Sequence, residues 1–242
     1  MMSLVLVGIA ADSQNASNCP PIFDDGQFEY IPIPEQYETT ETATYASEGH
    51  DKYLSYVVYD GEETAAFDNV PIHYDPNFEA LTFGDPGKSR SKLLTLAPDD
   101  IIGFYSGLTP PGQRRPKHRY LIGYFVVDRV VDFNSLNEEQ ISTEVERNRQ
   151  NAHIKRYLRC RDRRHLEDLV IVQGKRPGGL LDEAVKLSGG RPDASNYYFT
   201  KEWLDAWEPS TEYLGGIKPV IAADIGKAEF IDSLERVAGI YM

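Results

Sequence analysis

Two apolar runs joined by a cationic loop constrain this chain more than any other feature. Ile101-Ile102-Gly103-Phe104-Tyr105 leads into a Ser106-Gly107 turn and a loop rich in Pro and Arg. A longer apolar run returns from Tyr120 to Val131. The first run is too short for a typical helix, and both are rich in β-branched and aromatic residues, so both read as buried strands. Two adjacent buried strands with a Gly/Pro-punctuated loop make a half-barrel. Arg114, Arg115, Lys117, His118 and Arg119 give it a charged lip. Charge runs are ordinarily solvated, so the lip is as readily a plain hairpin surface as a binding edge.

The other elements fall around this core. Ser3 to Ala10 reads as a first buried strand, followed by a polar turn at Asp12-Ser13. Ile22 to Pro34 carries an Asp25-Gly26 turn signal and is expected to form a hairpin, with Pro32 and Pro34 ending it or confining it to an edge. Residues 35–70 read as an acidic surface insertion containing a strand over Lys52–Tyr59. Ser89 to Leu96 reads as a short helix. A helix over Ser135–Arg164 is capped by Asn134 or Ser135, with Glu138 and Glu139 in its first turn. Leu169 to Gln173 is a buried strand. Residues 174–179 then turn, and Leu180 to Leu187 forms a helix. Asn196 to Phe199 is an aromatic strand or turn, Thr200 caps a helix over Lys201–Trp207, and Ala228 to Val237 is a terminal amphipathic helix. The sum is α+β: a single domain, residues 1–242, on a mixed, mostly antiparallel β-barrel with flanking helices.

Charge argues first against nucleic acid. The 38 acidic and 25 basic residues give a formal charge of −13, and phosphate binding needs positive charge. Distribution matters more. Asp24 to Asp68 holds twelve acids and one base, whereas Arg147 to Arg164 holds eight bases and one acid. An acidic excess also suits a chain kept soluble in a high-salt cytoplasm. Cys19 and Cys160 are the only cysteines; so few thiols in a chain of this size fit a reducing, cytoplasmic setting. There is no CxxC and no Cys/His cluster, which argues against structural zinc, and no metal or cofactor is assigned. No apolar run reaches the length of a membrane span. The apolar N-terminus lacks a basic flank and reads as a strand rather than a signal peptide.

The polar constellations suggest where chemistry sits. His73 and Asp75 are two apart, which on a strand places both on one face. Such a pair can bind a metal, act as an oriented base, or hydrogen-bond a base edge. Asp85 precedes Pro86-Gly87, a turn that can present its carboxylate. The bland alternative is that Asp75-Pro76 and Asp85-Pro86 only make turns and His73 is structural. Asp12 and Ser13 are equally binding groups or turn caps. The segment RNRQNAHIKRYLRCRDRRH interleaves Tyr157 with Arg and carries Asn151 and His153, as a phosphate backbone plus a stacked base would require. Its alternative is a solvated helix, or pairing with the acidic N-terminal third.

The order of these motifs carries a resemblance. Asp12-Ser13 is followed by Pro21-Ile22-Phe23-x-Asp-Gly, Ile31-Pro32-Ile33-Pro34-Glu35, His73-x-Asp75-Pro76-x-Phe78 and Thr82-Phe83-Gly84-Asp85. Then come Asp100-x-x-Gly103-Phe104-Tyr105-Ser106-Gly107, Leu121-Ile122-Gly123-Tyr124-Phe125, Asn151-Ala152-His153 and Ile171-Val172-x-Gly174. Over roughly residues 3–190 the chain resembles the nucleotide modification associated domain family, third type. The resemblance implies a part in synthesis or recognition of modified nucleotides in DNA. It places Asp12, His73, Asp75, Gly84 and Asp85 on the family's polar motifs. The chain departs from the family ahead of the first Asp, where Ile9-Ala10-Ala11 replaces a basic residue and a glycine. It departs again at Gln14-Asn15-Ala16, which replaces a Gly-rich turn. More distantly, Asp100–Phe133 resembles the barrel of PUA-like domains (the EVE, YTH and ASCH group), which implies a pocket for a single, often modified, base.

Three readings follow. In the first, the chain binds a nucleotide or modified base in a barrel cleft, with DNA favoured over RNA as partner. Asp12, His73, Asp75 and Asp85 line the site; Ser13, Tyr105, Ser106, Tyr124, Asn151, His153 and Tyr198 supply walls and edge contacts; Arg114, Arg115, Lys155, Arg156 and Arg159 steer the backbone. In the second, the same carboxylates and His73 do acid–base or metal chemistry on a nucleotide or nucleotide derivative, which requires at least three of the four to converge. In the third, the chain is a non-catalytic interaction module.

Overall fold

A computed structural model describes residues 3–9, 19–56, 68–87, 89–113, 117–189, 197–215 and 220–238. Its centre is the expected strand pair, β5 (Ile101–Leu108) and β6 (His118–Asp132), antiparallel along the whole of β5, which pairs with the His118–Val126 part of β6. The first strand, β1 (Leu4–Gly8), lies parallel to β5. Two short strands, β2 (Ile33–Pro34) and β3 (Ile72–His73), pair with each other apart from the main sheet. With β4 (Thr82–Asp85), the long β7 (Val170–Lys186) and a late strand β10 (Val220–Ala223), a curled six-stranded mixed sheet forms in the order β10-β1-β5-β6-β7-β4. Its edges are β10 and β4, so it is a half-barrel rather than a closed one. A third small pairing joins β8 (Ser188–Gly189) to β9 (Tyr198–Phe199).

Both faces of this sheet are covered, which explains why its strands read as nearly continuous apolar runs. Leu4, Leu6, Tyr105 and Tyr124 face one side, where α4 (Lys201–Trp207) and α5 (Lys227–Ser233) bring Trp203, Trp207 and Phe230. Val5, Val7, Phe104 and Phe125 face the other, beneath Tyr30, Phe78 and Phe83. Phe78 ties the loop that follows β3 to the sheet. Its ring meets Phe104, Phe125 and Tyr30 edge-on at 5.2–5.7 Å. Gly123 makes room for it: a Cβ there would stand 2.3 Å from the ring. Helices α2 (Glu138–Arg147) and α3 (Ala152–Cys160) pack on a third cluster around Phe133, Ile154 and Ile171. A short α1 (Arg90–Leu93) precedes β5.

Several expectations give way to tertiary context. Residues 51–56 are a 3₁₀ helix, not a strand; among them Leu54 is buried while Asp51 and Lys52 face solvent. Residues 57–59 of that expected strand lie outside the described residues. The expected helix over 135–164 is two helices, broken at Asn148–Asn151. Its cap is Asn137, which forms a reciprocal capping box with Gln140. Residues 174–187 are not a turn and a helix but the continuation of β7. The long partner β6 pairs with it on both sides of its irregularities, and Gly178 and Gly179 adopt φ of +152° and +142° where the register shifts. The 22–34 segment has its tight turn at Gly26, but only an isolated Ile22–Phe28 bridge behind it. The 35–49 segment is more than a solvated excursion. Tyr45 is fully buried with Ile31, Leu54 and Ile72, and Glu35 and Glu41 are buried against α3.

Candidate active site

The β2–β3 ribbon, the turn after β3, β4 and the start of α3 bring five ionisable side chains together. Pairing of Ile33 with His73 puts Glu35, two residues on, beside the imidazole. The Glu35 carboxylate lies 3.0 Å from Nδ1 of His73. After β3 the chain turns at Asp75, and the Asn77–Thr82 bridge folds β4 back along it. Gly84 on β4 then donates its backbone N–H to both Asp75 oxygens, at 3.0 and 3.1 Å. Gly84 has no room for a side chain: a Cβ would stand 2.7 Å from Cδ2 of His153.

The start of α3 supplies the other half. Asn151, fully buried, caps the helix by accepting from the backbone N–H of His153 at 3.0 Å. Its Nδ2 donates to Asp75 at 3.4 Å, so one residue orients both neighbours. His153 Nε2 is 3.3 Å from Asp75 Oδ2, and the two imidazole rings of His73 and His153 meet edge-on at 4.9 Å. One turn later Arg156 grips Glu35 through Nε and Nη2 at 2.8–2.9 Å. Its Nη1 lies 3.3 Å from Nδ1 of His153, and Nη2 lies 3.0 Å from Nδ1 of His73.

Proton positions follow from which groups can only accept or only donate. Nδ1 of His73 faces both an acceptor, Glu35, and a donor, Arg156, at 3.0 Å each; assigning its proton to the Glu35 contact leaves Nε2 with a lone pair. Arg156 donates, so Nδ1 of His153 accepts and the His153 proton sits on Nε2, aimed at Asp75. Burial holds His73 below the ordinary imidazole range, despite the raising effect of Glu35. For Glu35, burial alone would raise the carboxyl. The hydrogen bonds and charges of His73 and Arg156 outweigh it and bring the pKa to about 2. Ligand atoms of His73, Asp75 and His153 all lie within 4.8 Å of one another, so these three can hold a metal ion.

Beside the cluster is a cleft of about 340 Å³ lined by Tyr37, Pro86, His153, Arg156, Asp162, Arg164 and His165. The Arg156 guanidinium lies over the Tyr37 ring at 4.6 Å, and His165 meets that ring edge-on at 5.5 Å. Arg164 is exposed and held by Asp162.

Of the residues expected from the sequence, His73, Asp75, Asn151, His153 and Arg156 meet here. Asp85 does not join them: its two oxygens accept from the backbone N–H groups of Gly87 and Ser89, each at 2.8 Å, so the turn consumes the carboxylate. Asp12, Ser13, Arg114 and Arg115 lie outside the described residues. Tyr105 and Tyr124 are not walls of a pocket. They are 1–2 % exposed within the core, where no base can reach their faces. Ser106 is likewise buried, with its hydroxyl donating to the Gly107 carbonyl. Tyr198 packs against Tyr213. Lys155 and Arg159 face the acidic segment rather than open solvent alone: Lys155 pairs with Glu41 at 2.5 Å and Arg159 with Glu38 at 3.5 Å. Sequence reasoning missed Glu35, Tyr37, Arg164 and His165 as site residues. The signal for Glu35 was a carboxylate directly after Ile33-Pro34, on an edge strand able to pair with the His73 segment.

A mixed α/β half-barrel with a buried His/Asp centre at its β4 edge, opening on a polar and aromatic cleft, is the class these features define. The chain belongs to the nucleotide modification associated domain 3 family, whose family model matches residues 3–229. No curated protein and no solved structure matches it. Membership ties the chain to nucleotide modification. No helix among the described residues is long and apolar enough to cross a membrane.

Proposed function

We propose that the chain takes part in nucleotide modification by binding a nucleotide, free or within DNA, in the cleft beside His153 and Arg156, and that the His73–Asp75–His153 centre acts on it. One observation carries this reading: His153 and Arg156 belong both to the buried centre and to the cleft wall, so a ligand in the cleft touches the centre directly. Tyr37 and His165 offer ring surfaces to a base, and the exposed Arg164 offers charge to a phosphate. The bound nucleotide sits at the β4 edge of the curled sheet, not among the core tyrosines.

The test is equilibrium binding of nucleoside monophosphates and short single-stranded oligonucleotides, followed by a search for product. Tyr37→Ala and Arg164→Ala, both exposed positions, are expected to weaken binding at least about tenfold, the loss of one stacked base or one charge-assisted contact. Binding without turnover would make the chain a reader of modified nucleotides. No binding of any of these ligands, or binding indifferent to both substitutions, would remove the cleft from consideration.

A further inference from the structure

The same centre supports a step beyond nucleotide binding. We infer that His73, Asp75 and His153 form the site of one divalent transition-metal ion of the Zn²⁺, Fe²⁺ or Co²⁺ class. Two imidazoles and one carboxylate are the donor set such borderline ions prefer, whereas Mg²⁺ and Ca²⁺ favour oxygen.

The spacing agrees with the donor types. Metal–ligand bonds of about 2.0–2.1 Å put neighbouring ligands of a tetrahedral ion about 3.4 Å apart. Asp75 Oδ2 and His153 Nε2 stand at 3.3 Å. The full set spans no more than 4.8 Å, so His73 needs only a small approach. The surrounding contacts also suit a metal. Glu35 contacts Nδ1 of His73, and with the proton assigned to that contact Nε2 keeps its lone pair, the outer-partner arrangement of metal-bound histidines. Gly84 and Asn151 fix Asp75.

His153, by contrast, is poorly placed as a free base. Asp75 occupies one of its nitrogens and Arg156 the other. A metal resolves this. The His153 proton moves from Nε2 to Nδ1, Nε2 takes the ion, and Arg156 releases Nδ1 while keeping Glu35 through Nε and Nη2. Three protein ligands leave positions for water or substrate, as catalytic sites do and four-ligand structural sites do not. His153 lines the cleft, so those positions lie at its wall.

This inference rests on the proposed site but not on the nucleotide, and its test separates the two. Co²⁺ alone is titrated into the metal-free full chain, and its visible d–d absorption and the bound metal content are read. One Co²⁺ per chain is expected. Asp75→Asn and His153→Gln should weaken uptake by on the order of 100-fold, and Glu35→Gln by about 10–100-fold as an outer partner. Far-UV circular dichroism and the emission of Trp203 and Trp207 report folding. Because a variant can fail to fold, the wild-type chain is also examined by ¹⁵N NMR with Zn²⁺: of the five histidines, only His73 and His153 should shift. Absence of stoichiometric Co²⁺ uptake, uptake indifferent to the substitutions in folded variants, or shifts at His50, His118 or His165 instead would overturn the inference. Metal uptake with no nucleotide binding would refute the proposed function and leave the metal site standing. Nucleotide binding without metal uptake would do the reverse.

Discussion

Glu35→Gln is the substitution that probes the centre most directly. The Glu35 side chain is 1 % exposed and neutralises Arg156, itself 11 % exposed. Glutamine keeps the shape but removes the charge, leaving the guanidinium uncompensated in the interior. Two routes give similar magnitudes. The shift from 4.5 to about 2 corresponds to about 3 kcal/mol at 1.36 kcal/mol per pKa unit. Breaking a buried pair from one side costs about 3–5 kcal/mol. For a chain of this size each kcal/mol moves Tm by about 2–4 °C, so the variant should melt about 6–12 °C lower at pH 7. The pH dependence is more telling. The folded carboxyl titrates below the unfolded one, so its contribution is complete above about pH 4.5 and is lost as the pH falls toward 2. Urea unfolding of both proteins at pH 7, 5, 4 and 3 should therefore show a gap that holds to pH 5 and has fallen to roughly half by pH 3. A gap independent of pH, or below about 0.5 kcal/mol at pH 7 (the size of an ordinary surface substitution), would refute the account of Glu35 as a buried, charged anchor.

Three further outcomes are expected. Gly84→Ala puts a methyl 2.7 Å from the His153 ring, so it should cost about 1–3 kcal/mol in thermal or urea melts and lower Co²⁺ uptake; unchanged uptake would mean that β4 does not position His153. Phe78→Ala removes the ring that ties the Asp75 loop to the sheet and should cost about 3–5 kcal/mol by the same measurement. Lys155→Met leaves Glu41 buried without its cation and should cost about 3 kcal/mol, while leaving the salt dependence of any oligonucleotide binding unchanged; a shallower salt slope would show that Lys155 contacts phosphate after all.

The strands that read most plainly from the sequence were those whose character is local. Leu4–Gly8, Ile101–Leu108 and the first part of β6 are buried on both faces, so their apolar, β-branched composition is itself the signal. The terminal helix, with Phe230 and Leu234 buried, was legible for a similar reason. The stretch 174–187 was not. Its Gly-Lys-Arg-Pro-Gly-Gly start has every mark of a turn, and only a fifteen-residue partner strand keeps it extended. The same holds for Asp51–Tyr56, where packing of Leu54 against Ile31 and Tyr45 outweighs strand propensity.

The site divides along the same line. The sequence by itself determined the chemistry available: His73 and Asp75 two residues apart, and Asn151 and His153 within the basic segment. It also determined that opposite charges are concentrated in two segments separated along the chain, Asp24–Asp68 and Arg147–Arg164, and that these could neutralise each other. Which carboxylates serve the site was decided only by tertiary structure. Asp85 has the better local signature, yet its oxygens are consumed by neighbouring N–H groups within four residues. Glu35 has only its place directly after Ile33-Pro34, and it becomes the buried partner of His73 and Arg156 because β2 pairs with β3 and α3 closes over both. A turn hydrogen bond depends on residues next door and can be read from the chain. Burial and pairing of a charge depend on which distant segments meet, and only the folded sheet brings them together.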